Sequence, residues 1–147
     1  MITFQRELLY DIKDEVQPLL EKHHAEVGFK GRPLSPRWDA ILWAEGAGNA
    51  CTYTARDDAE IVAYSGFLTD WNLLYSDLMM ATNLAFYVKP SHRSGITVLR
   101  FLRFCHDDLK AEGAEHVIYH CKTINNLAPL LHRLGFEDDE KTVGGPL

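Results

Sequence analysis

The stretch Leu84-Ala85-Phe86-Tyr87-Val88-Lys89-Pro90-Ser91-His92-Arg93-Ser94-Gly95-Ile96-Thr97-Val98-Leu99 passes from an apolar strand through a compact turn directly into a helix. A helix that starts just after a small-residue turn presents unpaired backbone N–H groups, and these together with the helix dipole favour a bound anion such as a phosphate. Pro90 fixes φ where the strand ends, Gly95 lets the backbone approach a ligand, and Ser94 or Thr97 supplies a hydroxyl. Arg93 adds a fixed cation, so the segment reads as a pyrophosphate seat. It is not a Walker loop, because no Gly-Lys-Ser/Thr follows. Nor is it a dinucleotide fingerprint, which needs further glycines and an acidic residue after a second strand.

The chain around this turn is ordinary in composition. Its 147 residues suit one domain, 1–147, with a single core. Hydrophobic residues make up 46% and charged residues 24%, which excludes disordered and fibrous classes. A net charge of −6 argues against nonspecific binding to nucleic acid or to an anionic membrane, although Lys89, Arg93, Arg100 and Arg103 form a local basic patch. No apolar run approaches membrane-spanning length and the N-terminus lacks a signal-peptide layout, so the expected location is the cytoplasm. Cys51, Cys105 and Cys121 are odd in number and lack metal spacing, which predicts free thiols.

Outward from the turn, Leu8, Leu9, Ile12, Val16, Leu19 and Leu20 predict an amphipathic helix from Glu7 to about His24. Ser35 and Pro36 then predict an N-cap and first turn for a second helix running to about Glu45. Strands are expected near Thr52–Thr54 and Glu60–Leu68, joined by Arg56-Asp57-Asp58, and a third from about Met79 to Val88. Val98, Phe101, Leu102, Cys105 and Leu109 make the buried stripe of the helix after the turn, which ends at Gly113. His116–Cys121 follows as a parallel strand by the crossover rule. A helix from about Asn126 to Leu134 and a short strand near Asp139–Val143 close the chain.

Two motifs carry a resemblance. His92-Arg93-Ser94-Gly95-Ile96-Thr97 is similar in spacing to the acyl-CoA turn of the GNAT acyltransferases, Arg/Gln-x-x-Gly-x-Gly/Ala; measured instead from Val88 and Pro90, Arg93 holds the family's arginine place. Asn125-Asn126-Leu127-Ala128 through Leu134-Gly135-Phe136 resembles the family's later helix. The resemblance implies an α+β fold with a mixed sheet: two N-terminal helices, an antiparallel meander, a crossover helix, a parallel strand, a last helix and a short C-terminal strand. It implies an acetyl-CoA-dependent N-acetyltransferase that moves the acetyl group to an amine by direct attack. The rival reading is a catalytically inactive GNAT-like module that binds proteins or serves as structure.

The resemblance also implies roles for residues. Phe86, Tyr87 and Val88 fall where the family uses backbone amides to hold pantetheine and polarise the thioester. Arg93, Ser94, Gly95, Ile96 and Thr97 fall on the pyrophosphate, and Asn125 or Asn126 on the pantetheine arm. The family's general acid is a tyrosine of the last helix; counting back from Gly135-Phe136 its place is held by Leu131, and counting forward from Asn125 by His132. If Leu131 is the equivalent, the proton comes from Tyr87, from His120, from a water, or from no protein acid. Asn83, Asp70, His120 and Glu60 are candidate bases by strand position, and none is assigned. Trp38, Trp43, Trp71, Tyr75 and Phe29 are expected to wall an acceptor pocket, with Trp38 and Trp71 foremost. The acidic total favours a cationic amine acceptor, of small-molecule or protein nature.

No metal is expected, because His116 and His120 on one strand face stand about 13 Å apart. His23 and His24 read as surface residues of the first helix. Only eleven residues follow Phe136, where the family continues with two strands; the uncovered sheet edge predicts a second subunit, a homodimer.

Overall fold

A computed structural model describes residues 1–147. Strand β1 (Ile2–Glu7) leads into helices α1 (Leu9–Val27) and α2 (Trp38–Gly46), then strands β2 (Ala50–Asp57), β3 (Glu60–Trp71) and β4 (Met79–Val88). A 3-10 turn at Pro90–His92 precedes helix α3 (Gly95–Ala111), strand β5 (His116–Ile118) and helix α4 (Ala128–Arg133). The sheet order is β1-β2-β3-β4-β5, antiparallel except for the parallel β4–β5 pair. The expected α+β, mixed-sheet class holds. No helix is long and apolar enough to cross a membrane.

Strand β1 is absent from the sequence reading. Ile2 and Phe4 alternate too briefly to announce a strand, and what makes them one is the partner: β1 pairs along its length with β2, from Ile2↔Asp57 to Glu7↔Thr52. Phe4 then stacks on Phe101 of α3 at 5.6 Å between centroids. The Glu7 carboxylate takes two bonds from the Arg56 guanidinium at 3.0 Å and one from the Thr54 hydroxyl, tying the edge strand to its neighbour.

The sheet separates two apolar layers. On one face Leu9, Ile12, Val16 and Leu19, spaced to form one helical stripe of α1, pack on Ile61, Tyr64 and Tyr87, with Trp38, Ile41 and Leu42 of α2 beside them. On the other face Val98, Phe101, Leu102, Cys105 and Leu109 of α3, with Leu131 of α4, pack on Tyr53, Phe67, Ala81 and Val88. Two helix entrances differ from local expectation. The first amides of α1 have no local cap and are bonded by the Glu45 carboxylate of α2, at 2.7 Å to Leu9 N and 3.2 Å to Tyr10 N. Ser35 does not cap α2: the following Pro36 pushes it toward extended geometry, and Arg37 stands at the cap without a side-chain bond.

The irregularity that shapes the site lies in β4. Gly66 pairs with Ala85 and Phe67 with Asn83, so Leu84 has no partner and forms a bulge. Side chains alternate along a strand, so one extra residue exchanges the faces downstream. Ala81 points to the α3 layer, whereas Ala85 and Tyr87 turn to α1 and Phe86 and Val88 to α3. The bulge also bends β4 away from its parallel neighbour: Met80↔His116, Ala81↔Val117 and Thr82↔Ile118 are the whole of that pairing. The expected strand to Cys121 therefore ends at Ile118.

The expected strand at Asp139–Val143 is not formed. Residues 134–147 lack regular structure, because Thr142 and Val143 have strand propensity but no ladder to join, behind the acidic run Glu137-Asp138-Asp139-Glu140. Under this tail lies a broad groove beside β5, near 1230 Å³, where His106 of α3 is wedged between the Tyr119 hydroxyl at 2.8 Å and the Phe136 ring at 4.9 Å.

Two outcomes follow from this packing. Deleting Leu84 removes the bulge but leaves Ala85 opposite Gly66 and Tyr87 opposite Tyr64 on the α1 face, so the chain should still unfold in one cooperative urea transition, while Leu84→Ala, at a side chain 53% exposed, should change stability by no more than about 0.5 kcal/mol. Burial holds His106 down at about 4 from 6.5, so the folded state binds fewer protons than the unfolded one between those values. Stability from this group is complete above pH 6.5 and declines as pH falls toward 4; His106→Gln should flatten that decline in urea titrations taken across the window.

Candidate functional site

Past Thr82 the edge of β4 has no strand beside it. Lys89 N donates to Val62 O of β3 at 2.8 Å, and in an antiparallel ladder such inward bonds recur every second residue. The N–H groups of Phe86 and Val88 therefore point to the open edge, whereas that of Tyr87 points inward to β3. Of the three backbone amides expected to meet a ligand, two face the cleft. The bulge is stapled from behind by Asn83, whose amide donates to Ser65 Oγ, Gly66 O and Ala85 O, each at 3.1 Å. Those bonds occupy Asn83 as a support of the backbone and remove it from the candidate bases.

At the end of this edge the chain turns into α3. Ser94 is the N-cap, its hydroxyl accepting from Thr97 N at 3.2 Å and donating to Thr97 Oγ1 at 2.8 Å. The N–H groups of Ser94, Gly95 and Ile96 have no partner within the chain. A Cβ at Gly95 would meet nothing within 4 Å, and its φ is not positive, so neither packing nor backbone conformation demands glycine there. Ile96 is 74% exposed beside it. The result is an uncovered cradle of amides at the positive end of a 17-residue helix. His92, first in the six-residue motif, is turned to Asp57 at 3.3 Å and to Ser91 at 2.8 Å.

Arg93 does not point into this cradle. Its Nε donates to Val88 O at 2.7 Å, its Nη2 donates to both oxygens of Glu26 at 2.8 Å, and its guanidinium carbon lies 5.4 Å from the centre of the Tyr87 ring. Glu26, in the last turns of α1, also accepts from Asn125 Nδ2 at 2.8 Å. Asn126 Oδ1 accepts from Ala128 N at 3.0 Å and so supports the entrance of α4.

Beside Tyr87 stands His23, with ring centres 5.3 Å apart and Nδ1 2.8 Å from the Tyr64 hydroxyl. Burial lowers its proton affinity; Glu26 acts in the opposite sense, and Arg93 and Lys122 reinforce the lowering. The imidazole is therefore neutral at pH 7. Burial also pushes the Tyr87 phenol up, Glu26 adding to the effect and Arg93 opposing it, so its proton is retained. His23 was expected at the surface. The missed signal is spacing, since Leu9, Ile12, Val16, Leu19 and His23 continue a single stripe. Its neighbour His24 is turned outward to Arg32 O at 3.0 Å.

The remaining candidates lie elsewhere. Leu131 is 5% exposed within the α3 layer. His132 bonds Asp138 at 2.8 Å in the groove beyond β5, which no residue of β4 or of the first turn of α3 lines. His120 also borders that groove. Glu60 is paired with Lys89, and Asp70 caps Trp71 N at 2.7 Å on the exposed end of β3. Trp38 packs against the α1 layer, as does Ala85 beside the bulge. Trp71 pairs with Met79 at the far end of β4, about 20 Å along the strand from Ala85 at roughly 3.3 Å per residue, and is 52% exposed.

No family sequence model and no curated protein sequence matches the chain. Solved structures do. A ribosomal-protein-alanine N-acetyltransferase from Brucella melitensis is 17% identical with a TM-score of 0.77, over 100% of this chain and 98% of that one. A predicted acetyltransferase from Clostridium acetobutylicum, crystallised with acetyl-CoA, is 13% identical with a TM-score of 0.72, over 99% and 96%. Glucosamine-6-phosphate N-acetyltransferase from Arabidopsis thaliana is 12% identical with a TM-score of 0.72, over 99% and 98%. With its meander, its opened fourth strand, its amide-lined turn and its parallel fifth strand, the chain has the fold of the GNAT acyltransferases.

Proposed function

We propose that this chain is an acetyl-CoA-dependent N-acyltransferase, moving the acetyl group to an amine by direct attack. The observation that carries the reading is the alignment of two sets of unpaired backbone donors: Phe86 and Val88 along the open edge of β4, and Ser94, Gly95 and Ile96 at its end. A diphosphate on the second set directs a pantetheine arm along the first. The Val88 amide then holds the arm, and the Phe86 amide meets the thioester oxygen as it becomes an oxyanion, a contact worth about 3 kcal/mol of barrier. In this assignment Arg93 serves as a wall of the cleft, its charge being matched by Glu26.

The amine approaches from the α1–α2 face, where Trp38 and Ala85 lie. Its nitrogen bonds to the carbonyl carbon, the carbon–sulfur bond breaks, the amine's surplus proton leaves to solvent, and the departing thiolate takes a proton. Tyr87 is the residue placed to give it, protonated by burial and next to the open edge. The second reading, a GNAT-like module without turnover, is favoured by Leu131, a buried side chain without a proton at one of the two places that correspond to the family's acid. Thioester turnover separates the two: thiol release from acetyl-CoA in the presence of an amine library supports the enzyme, and binding without release supports the module.

Gly95→Trp fills open space, so it should leave the urea midpoint unchanged while abolishing the thermal shift given by acetyl-CoA. Tyr87→Phe should leave acetyl-CoA affinity as it is and slow thiol release by about a hundredfold, the lower range for loss of a general acid; an unchanged rate would place the acid elsewhere.

A further inference from the structure

Three segments distant in sequence meet at one carboxylate. Glu26 Oε1 accepts from Arg93 Nη2, and Glu26 Oε2 accepts from the same nitrogen and from Asn125 Nδ2, each at 2.8 Å. The glutamate side chain is 28% exposed and the arginine 34%, so the pair is sheltered rather than fully solvated. Arg93 in turn spends its Nε on Val88 O, a carbonyl that faces the open edge beside the Val88 amide. Through Arg93, Glu26 thus fixes the end of one wall of the cleft, and through Asn125 it fixes the loop after β5 that forms the opposite wall. Across the opened sheet the two walls share no ladder bond beyond Thr82↔Ile118. The groups that face this carboxylate are His23 of its own helix, Tyr87 of β4, Arg93 of the turn and Asn125 of the loop, while Lys122 of the loop acts on His23.

We infer that Glu26 is a positioning residue of the acyl-CoA cleft: one carboxylate from α1 clasps Arg93 and Asn125 and so sets the separation of the walls between which the cofactor lies. The inference rests on the acyl-CoA reading above. Glu26 touches no reacting atom in this scheme, and its effect passes through the backbone at Val88 and through the loop at 119–127. Glutamine at position 26 keeps the shape, loses the charge that holds Arg93, and sets an amide donor against donors.

Titration calorimetry with acetyl-CoA on the full chain tests this, with Glu26→Gln, Arg93→Ala, the double variant and Asn125→Ala. Glu26→Gln should weaken acetyl-CoA roughly tenfold and raise its KM in step, with kcat held within about twofold. The double variant should lose less than the sum of the two single losses, because the Arg93–Glu26 bonds are broken in both and only the Asn125 contact is left for Glu26→Gln to weaken. In the ligand-free chain, amides of residues 119–127 should exchange faster in Glu26→Gln and in Asn125→Ala, the latter being an exposed position that leaves the core untouched. Wild-type affinity in Glu26→Gln overturns the inference, as do additive losses in the double variant. Tighter binding also overturns it, and shows Glu26 competing with the diphosphate for Arg93. A wild-type chain that binds no acetyl-CoA overturns the acyl-CoA reading and the inference with it, whereas wild-type binding with an unaffected Glu26→Gln sinks the inference alone.

Discussion

The bulge at Leu84 is the constraint on which the rest of the site depends. One unpaired residue in β4 passes Tyr87 to the α1 face and Phe86 and Val88 to the α3 face, and the same kink parts β4 from β5 after Thr82. Without the bulge the alternation would aim the amides of Phe86 and Val88 inward at β3 and away from the open edge. Leaving them unpaired is tolerated because the edge is a cleft open to solvent, where water satisfies donors until a ligand replaces it.

Polar side chains around the cleft hold backbone in place rather than face it. Asn83 staples the bulge, Ser94 caps α3, Asn126 supports α4, and Arg93 ties Val88 to Glu26. The same economy appears at the sheet's far edge, where Arg56 joins Glu7 of β1 to Glu15 of α1. In both places a guanidinium bridges separate elements, and its planar array of donors lets one side chain satisfy several acceptors at once. The groups left facing the open edge are then main-chain donors, whose positions are set by the sheet and not by rotamers.

Much of this was legible along the chain. The stripe of α1, the stripe of α3, the meander, the turn at Pro90–Gly95 and the parallel return all follow from local patterns of apolar spacing and turn residues. The site was legible where it is made of backbone, because Gly95 and Ser94 sit in sequence beside the strand they extend. It was not legible where it is made of side chains from separate segments. Arg93 carried a charge in a phosphate turn, and nothing local announced that Glu26 lies against it. His132 and Leu131 stood one residue apart in an ambiguous register, and only the course of α4 separates the buried leucine from the histidine on Asp138. Strand β1 and the absent strand at Asp139–Val143 err in opposite directions for one reason: short segments become strands when a partner offers a ladder, and β2 offers one to Ile2–Glu7 while nothing does so for the tail.

By itself the sequence determined the order of elements from α1 to α4 and the amide-lined entrance to α3, since each is decided by dihedral preference and by spacing within a few residues. The tertiary structure alone decided which amides of β4 are free, which face Tyr87 and His23 occupy, and where the charge of Arg93 is spent. Those depend on one skipped pairing and on a carboxylate 67 residues away, and distances of that kind are set by packing and not by neighbours in the chain.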